Sequence, residues 1–194
     1  LDPDRASSPW AGHRDFVYDL IRWRQPEVTV ELGTHFGCSF FAMVQALSDT
    51  GVAGQIHAID TWQGDPHAGE YGEEVFEGFT GRLEALTRRD DAQSVAASVH
   101  RSMFLDALPT FQDGSIDLLH IDGYHSYDAL REDFETWLPK LSPNGLVLLH
   151  DVAQDSGYGS AEYYAQAIAS QYEGFAFRHN FGLGVVLPKG TTGW

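Results

Sequence analysis

Two short stretches hold the side chains with most to offer chemically: Asp122-Gly123-Tyr124-His125 and His150-Asp151. Carboxylates and imidazoles together can move protons near neutral pH or ligate a divalent ion. Each stretch directly follows a short apolar run, Ile116 to Ile121 and Leu146 to Leu149. If both runs are parallel strands of one sheet, their carboxyl ends share one edge and the four side chains converge there. Asp122, His125 and His150 are therefore candidate catalytic groups. Asp122 and Asp151 with one of the two histidines make a candidate metal set of two carboxylates and one imidazole, suited to Mg²⁺, Mn²⁺, Fe²⁺ or Zn²⁺. A bound cation acidifies an oxygen acid and fixes an acceptor oxygen in place. The plainer alternatives are a helix-entry role for Asp122 and a strand-end role for His150.

The element that must position this edge is Thr29 to Leu47, TVELGTHFGCSFFAMVQAL. Thr29, Val30 and Leu32 read as a strand buried on both faces. Gly33 and Gly37 punctuate a turn, and Phe40, Phe41, Val44 and Leu47 recur at helical spacing. Such a turn lets backbone N–H groups approach a ligand at a helix N-terminus. The spacing is E-x-G-x-x-x-G, which is neither the dinucleotide fingerprint nor a P-loop.

The rest of the chain alternates strands and helices. Leu1 to Gly12 reads as a loose lead-in, and Asp15 to Arg24 as a helix. Gln55 to Ile59 is a second strand closing on Asp60, placed where a carboxylate can accept from two ribose hydroxyls. Trp62 to Gly72 is a polar, glycine-rich loop suited to a substrate rim, followed by a helix from Glu73 to Arg89. Ser94 to Val99 is a third strand leading to Ser102, and Phe104 to Leu108 a short helix. Ser126 caps a helix over Tyr127 to Leu141. Pro143-Asn144-Gly145 is a turn before the fifth strand. Ala161 to Tyr172 is a last helix, and Phe175 to His179 pairs with Leu183 to Leu187 around Asn180 to Gly182. Strands alternating with helices imply an α/β fold with a doubly wound, mostly parallel sheet and an antiparallel C-terminal hairpin. The 194 residues read as a single domain. His57 and His120 fall inside strands and read as satisfied core histidines.

Composition narrows the partners. A formal net charge of −16 opposes binding to phosphate backbones and to anionic membrane surfaces. The single cysteine, Cys38, excludes an internal disulfide and a cysteine-based zinc cluster. No apolar run is long enough to span a bilayer. A bacterial cytoplasmic setting is the default expectation, and self-association is left open.

The glycine turn, the acid at Asp60 and the segment IDGYHSYDALREDFETWLPKLSPNGLVLLHD together resemble class I S-adenosylmethionine (SAM) methyltransferases. The likeness is closest to the O-methyltransferases of cephalosporin biosynthesis and of macrolide sugars (macrocin-type), and runs from Thr29 to Leu187. It implies a Rossmann-like fold and SAM as cofactor. It also implies cofactor contacts from Glu31, Gly33, Thr34, Gly37, Ser39, Asp60, Thr61, Trp62, Ser102 and Asp122. Mg²⁺ would sit at Asp122, His150 and Asp151. The family has an acid where this chain has His150, which favours a more nitrogen-tolerant ion or none. The expected activity is O-methylation of a hydroxyl on a small molecule, natural product or glycan. Two other functions compete: a non-catalytic SAM-fold module of a glycan-modifying system, and an NAD-binding oxidoreductase. Against the latter stand the glycine spacing and the lack of a Tyr-x-x-x-Lys dyad at Tyr163-Tyr164.

Overall fold

Val28–Leu32 (β1) buries every residue from Thr29 onward, as a central strand covered on both faces must. In the computed structural model, which describes residues 8–88 and 94–190, β1 is flanked in parallel by two strands. They are β2 (Gly54–Asp60) and β6 (Ile116–Ile121). The full sheet has seven strands in the order β5-β2-β1-β6-β7-β9-β8. The outer members are β5 (Val95–Arg101), β7 (Leu141–His150), β8 (Glu173–Phe177) and β9 (Leu183–Leu187). β9 runs antiparallel to both β7 and β8, giving the expected antiparallel ending. A separate two-stranded ribbon, β3 (Gly64–Asp65) with β4 (Gly69–Glu70), rises from the polar loop after β2.

Alternation along the strands splits the core in two. Leu118, Leu146 and Leu148 face one layer with α1 (Arg14–Arg24), α2 (Cys38–Thr50) and α3 (Glu73–Thr87). Leu119, Ile121, Val147 and Leu149 face the other, with α4 (Phe104–Ala107), α5 (Tyr127–Trp137) and α6 (Gly159–Tyr163). Ser126 caps α5 through Ala129 N–H at 3.1 Å. Among the described residues no helix is long and apolar enough to cross a membrane.

Four expectations change. Pro9–His13 forms a 3₁₀ turn that buries Trp10, so Ser8 to Gly12 is not a loose lead-in; Leu1 to Ser7 lie outside the described residues, as does Arg89 at the end of its expected helix. Pro143-Asn144-Gly145 lies within β7, whose register with β6 shifts between Ile116 and Leu118. That irregularity accommodates a proline that cannot donate to a regular ladder. The helix over Tyr127 to Leu141 gives way at Leu138–Lys140 to a 3₁₀ turn, where Pro139 breaks the pattern. The last helix is short and continues as a π-turn, Tyr164–Ile168.

Candidate functional site

The chain reverses direction across the sheet between β1 and β6, and the crevice outside their carboxyl ends is where open α/β sheets bind ligands. Gly33 leaves β1 with φ 86°; a Cβ there would meet the Asp122 carbonyl oxygen at 2.1 Å. Gly33 N–H donates to Ile59 O (2.9 Å) and Asp122 N–H to Leu32 O (2.8 Å), which stitches both turns to the sheet. Gly37, also left-handed, precedes α2, whose N-terminus has no side-chain cap. Its first N–H groups are thus left without intrahelical partners.

A cleft of about 790 Å³ opens above this edge. Of the expected cofactor residues, Gly33, Thr34, Ser39, Asp60, Thr61 and Asp122 line it. Glu31 lies beneath, fully buried, accepting from Ser39 Oγ (2.5 Å) and bonded to His120 Nδ1 (2.9 Å). Burial pushes its carboxyl up, against the pull of His120 and Ser39. Gly37 is set back, where a Cβ would strike the Phe41 and Phe79 rings. Trp62 is core, 1% exposed against Phe76 and Phe79. Ser102 bonds back to Asp60 O through its N–H (3.0 Å), and its neighbours Met103 and Phe104 face the cleft instead.

Asp60 carries more structure than a ribose partner needs. Its Oδ2 accepts from Thr34 N–H (2.9 Å) and His35 N–H (2.8 Å), and its Oδ1 from Trp62 N–H (2.7 Å). The carboxylate thereby clamps the glycine turn to the end of β2. Its clamp holds His35 and Trp62, both at positive φ, in a conformation bulky residues seldom adopt. Thr34 Oγ1 is buried on the cleft wall without a partner.

At the far end stand the acids and imidazoles. His150 departs from its expected role as metal ligand. Its Nδ1 lies 3.1 Å from Asp122 Oδ1 and 3.0 Å from Asp151 Oδ2, and its Nε2 3.1 Å from Asn180 O. Both nitrogens face acceptors, so both carry protons and neither has a lone pair for an ion. Burial opposes that charge, but the two carboxylates outweigh it and raise the imidazole well above its ordinary range. Asp122 is driven well below the usual carboxylate range, His150 outweighing burial there too. His125 takes the open position. Its Nδ1 is 3.1 Å from Asp151 Oδ2, and Asp122, His125 and Asp151 each offer a donor atom within 4.8 Å of the others. That nitrogen and two oxygens fit a divalent ion. Asp151 itself sits at φ 59°, turning its carboxylate back toward His125.

An aromatic wall completes this end. Tyr158 lies 5.0 Å from His125 and 6.1 Å from Phe181. His67, at the tip of the β3–β4 ribbon, stacks on His125 with centroids 5.9 Å apart at 12°. Asp65 Oδ1 steadies that tip by accepting from His67 N–H (2.6 Å) and Ala68 N–H (2.9 Å). Tyr158 and Phe181 carried no periodic signal in the sequence. The aromatic and histidine content of Trp62 to Gly72 was the one clue to the ribbon.

A model of the methyltransferase domain matches residues 30–152. An uncharacterised Sinorhizobium fredii protein, y4gI, is 38% identical over 178 residues, 91% of this chain. The chain spans about one fifth of that protein's length, 19%. Among solved structures, the O-methyltransferase TomG of Streptomyces achromogenes, in complex with SAM, superposes with a TM-score of 0.65 at 21% identity, covering 97% of this chain and 83% of that one. The SAH-bound methyltransferase PaMTH1 of Podospora anserina gives 0.67 at 18%, covering 96% and 81%. At these identities the structural likeness establishes the fold.

Proposed function

We propose, from the premise that this chain belongs to the methyltransferase-domain family, that it transfers a methyl group from SAM to a hydroxyl of a small molecule or glycan. The observation carrying this reading is that one cleft joins the glycine turn to the Asp122–His125–Asp151 cluster. The turn offers an uncapped helix N-terminus and the unpartnered Thr34 hydroxyl to the cofactor. The cluster and its aromatic wall face the acceptor. SAM- and SAH-bound relatives of the same fold support the choice of cofactor.

The transfer is an in-line displacement. The acceptor oxygen forms the new O–C bond as the S–C bond breaks, and the electron pair leaves on sulfur to give S-adenosylhomocysteine (SAH). With Nδ1 3.1 Å from Asp151, His125 keeps its proton there and offers Nε2 to receive the acceptor's proton. Asp151 orients the imidazole and balances the charge it gains. His150 acts as the fixed cation that holds Asp122 and Asp151 in place, rather than as a base.

A second reading has its own observation, the mutual reach of the three donors. Asp122, His125 and Asp151 would hold a divalent ion, Mg²⁺, Mn²⁺, Fe²⁺ or Zn²⁺. It would lower the pKa of the acceptor hydroxyl and leave the proton to water.

The test is transfer of labelled methyl from SAM to a panel of phenols, sugars and glycans, with and without chelator, in wild type and His125→Gln. Chelator-resistant turnover lost in the variant supports the base mechanism. Chelator-sensitive turnover restored by one ion supports the second. No transfer to any acceptor, with SAM bound, returns the non-catalytic module to the front.

A further inference from the structure

Beneath the cleft runs a buried hydrogen-bond relay that the transfer chemistry leaves unused. Trp10 Nε1–H donates to His120 Nε2 at 3.0 Å. The indole can only donate, so His120 Nε2 must hold a lone pair and the ring must be neutral, with its proton on Nδ1. That proton goes to Glu31 Oε1 at 2.9 Å, and Ser39 Oγ donates to the same oxygen at 2.5 Å. All four side chains are at most 4% exposed. Glu31 Oε2 is buried with no partner.

The two ends of the relay, Trp10 and Ser39, surface in the cleft. Ser39 has committed its only proton to Glu31, so it faces the cleft with acceptor lone pairs alone. It therefore calls for a donor, and the buried acid behind it, whose partners are neutral, calls for a cation. Within the same turn the uncapped start of α2 offers N–H groups to an anion. A cation acceptor beside an anion acceptor fits the zwitterion of an α-amino acid.

Resting on the methyltransferase reading, we propose that Trp10 and His120 are positioning residues for the amino-acid end of the cofactor. They hold Glu31 and Ser39 in the state that receives its ammonium group. Without the indole N–H nothing fixes the His120 tautomer: Nδ1 need no longer donate to Glu31 Oε1, and Glu31 and Ser39 lose the orientation that presents them to the ammonium. The N-terminal segment from Ser8 to His13 is on this account part of the cofactor site.

The test is calorimetric titration of wild type, Trp10→Phe and Glu31→Gln with two ligands. SAH carries the amino acid; 5′-methylthioadenosine has the same nucleoside and thioether without it. Both variants should bind SAH at least tenfold more weakly, with affinity for 5′-methylthioadenosine held within twofold. The retained nucleoside binding shows that the cleft is still folded. Equal losses for both ligands, no loss for SAH, or equal wild-type affinity for the two ligands would overturn the relay. Failure of wild type to bind SAH overturns the cofactor reading and the relay with it; SAH binding with the wrong variant pattern removes the relay alone.

Discussion

His150 Nδ1 lies 3.1 Å from Asp122 Oδ1, joining the end of β7 to the turn after β6. Together with the Asp151 contact at 3.0 Å, it makes one buried cation the shared counter-charge of two acids. His150→Ala would leave both carboxylates without it. Breaking a buried pair this way costs about 3–5 kcal/mol. The expected outcome is a large fall in the urea midpoint at pH 7, and wild-type stability in the variant would contradict the assignment.

The Asp60 clamp separates two roles that the sequence merged. A carboxylate that only binds ribose can be removed without cost to the free protein. One that holds three backbone N–H groups cannot, since hydrogen bonds to charged groups contribute about 1.5–3 kcal/mol each. Asp60→Ala should therefore lower the melting temperature of ligand-free protein as well as weaken SAM binding tenfold or more. Loss of binding at unchanged stability would restore the simpler role.

Gly33 has no room for a side chain. Its positive φ and the 2.1 Å approach of the Asp122 carbonyl mean Gly33→Ala must move one turn away from the other. Left-handed strain alone costs about 1–3 kcal/mol. The variant should lose SAM affinity by more than its stability loss implies, as read by calorimetry beside thermal melts.

His13 gives the protein an acid-sensitive side. Burial, then the charge on nearby His150, lowers its imidazole to about 4. The folded state thus resists a proton that the unfolded chain takes up near its ordinary value of about 6.5. Stability from this group is full above about 6.5 and is lost as pH falls toward 4. Melting temperature should drop across that window, and His13→Phe should flatten the drop. An unchanged slope would assign the acid sensitivity to other groups.

Much of the layout was legible in the chain. Alternating apolar runs gave the strands, and the acids at their ends marked the edge that matters. What periodicity does not carry was harder to see. Trp10 stands alone in a Pro- and Gly-containing stretch, and only a tertiary partner, His120, explains it. His125 and His150 were equal candidates because side-chain direction after a strand depends on loop geometry. The left-handed backbone at Asp151 and the Asn180 carbonyl turn His150 inward and leave His125 at the mouth. Glu31 sits in a strand buried on both faces, so the acid lies behind Ser39, which donates to it, and does not itself line the cleft.

The measurement that bears most directly on the account is calorimetric titration of metal-stripped protein with SAM, repeated with Mg²⁺, Mn²⁺ and Zn²⁺ present. Saturable binding without metal is expected, in the micromolar range or about −8 kcal/mol, and abolished in Gly33→Ala. No heat of SAM binding under any of these conditions would contradict it.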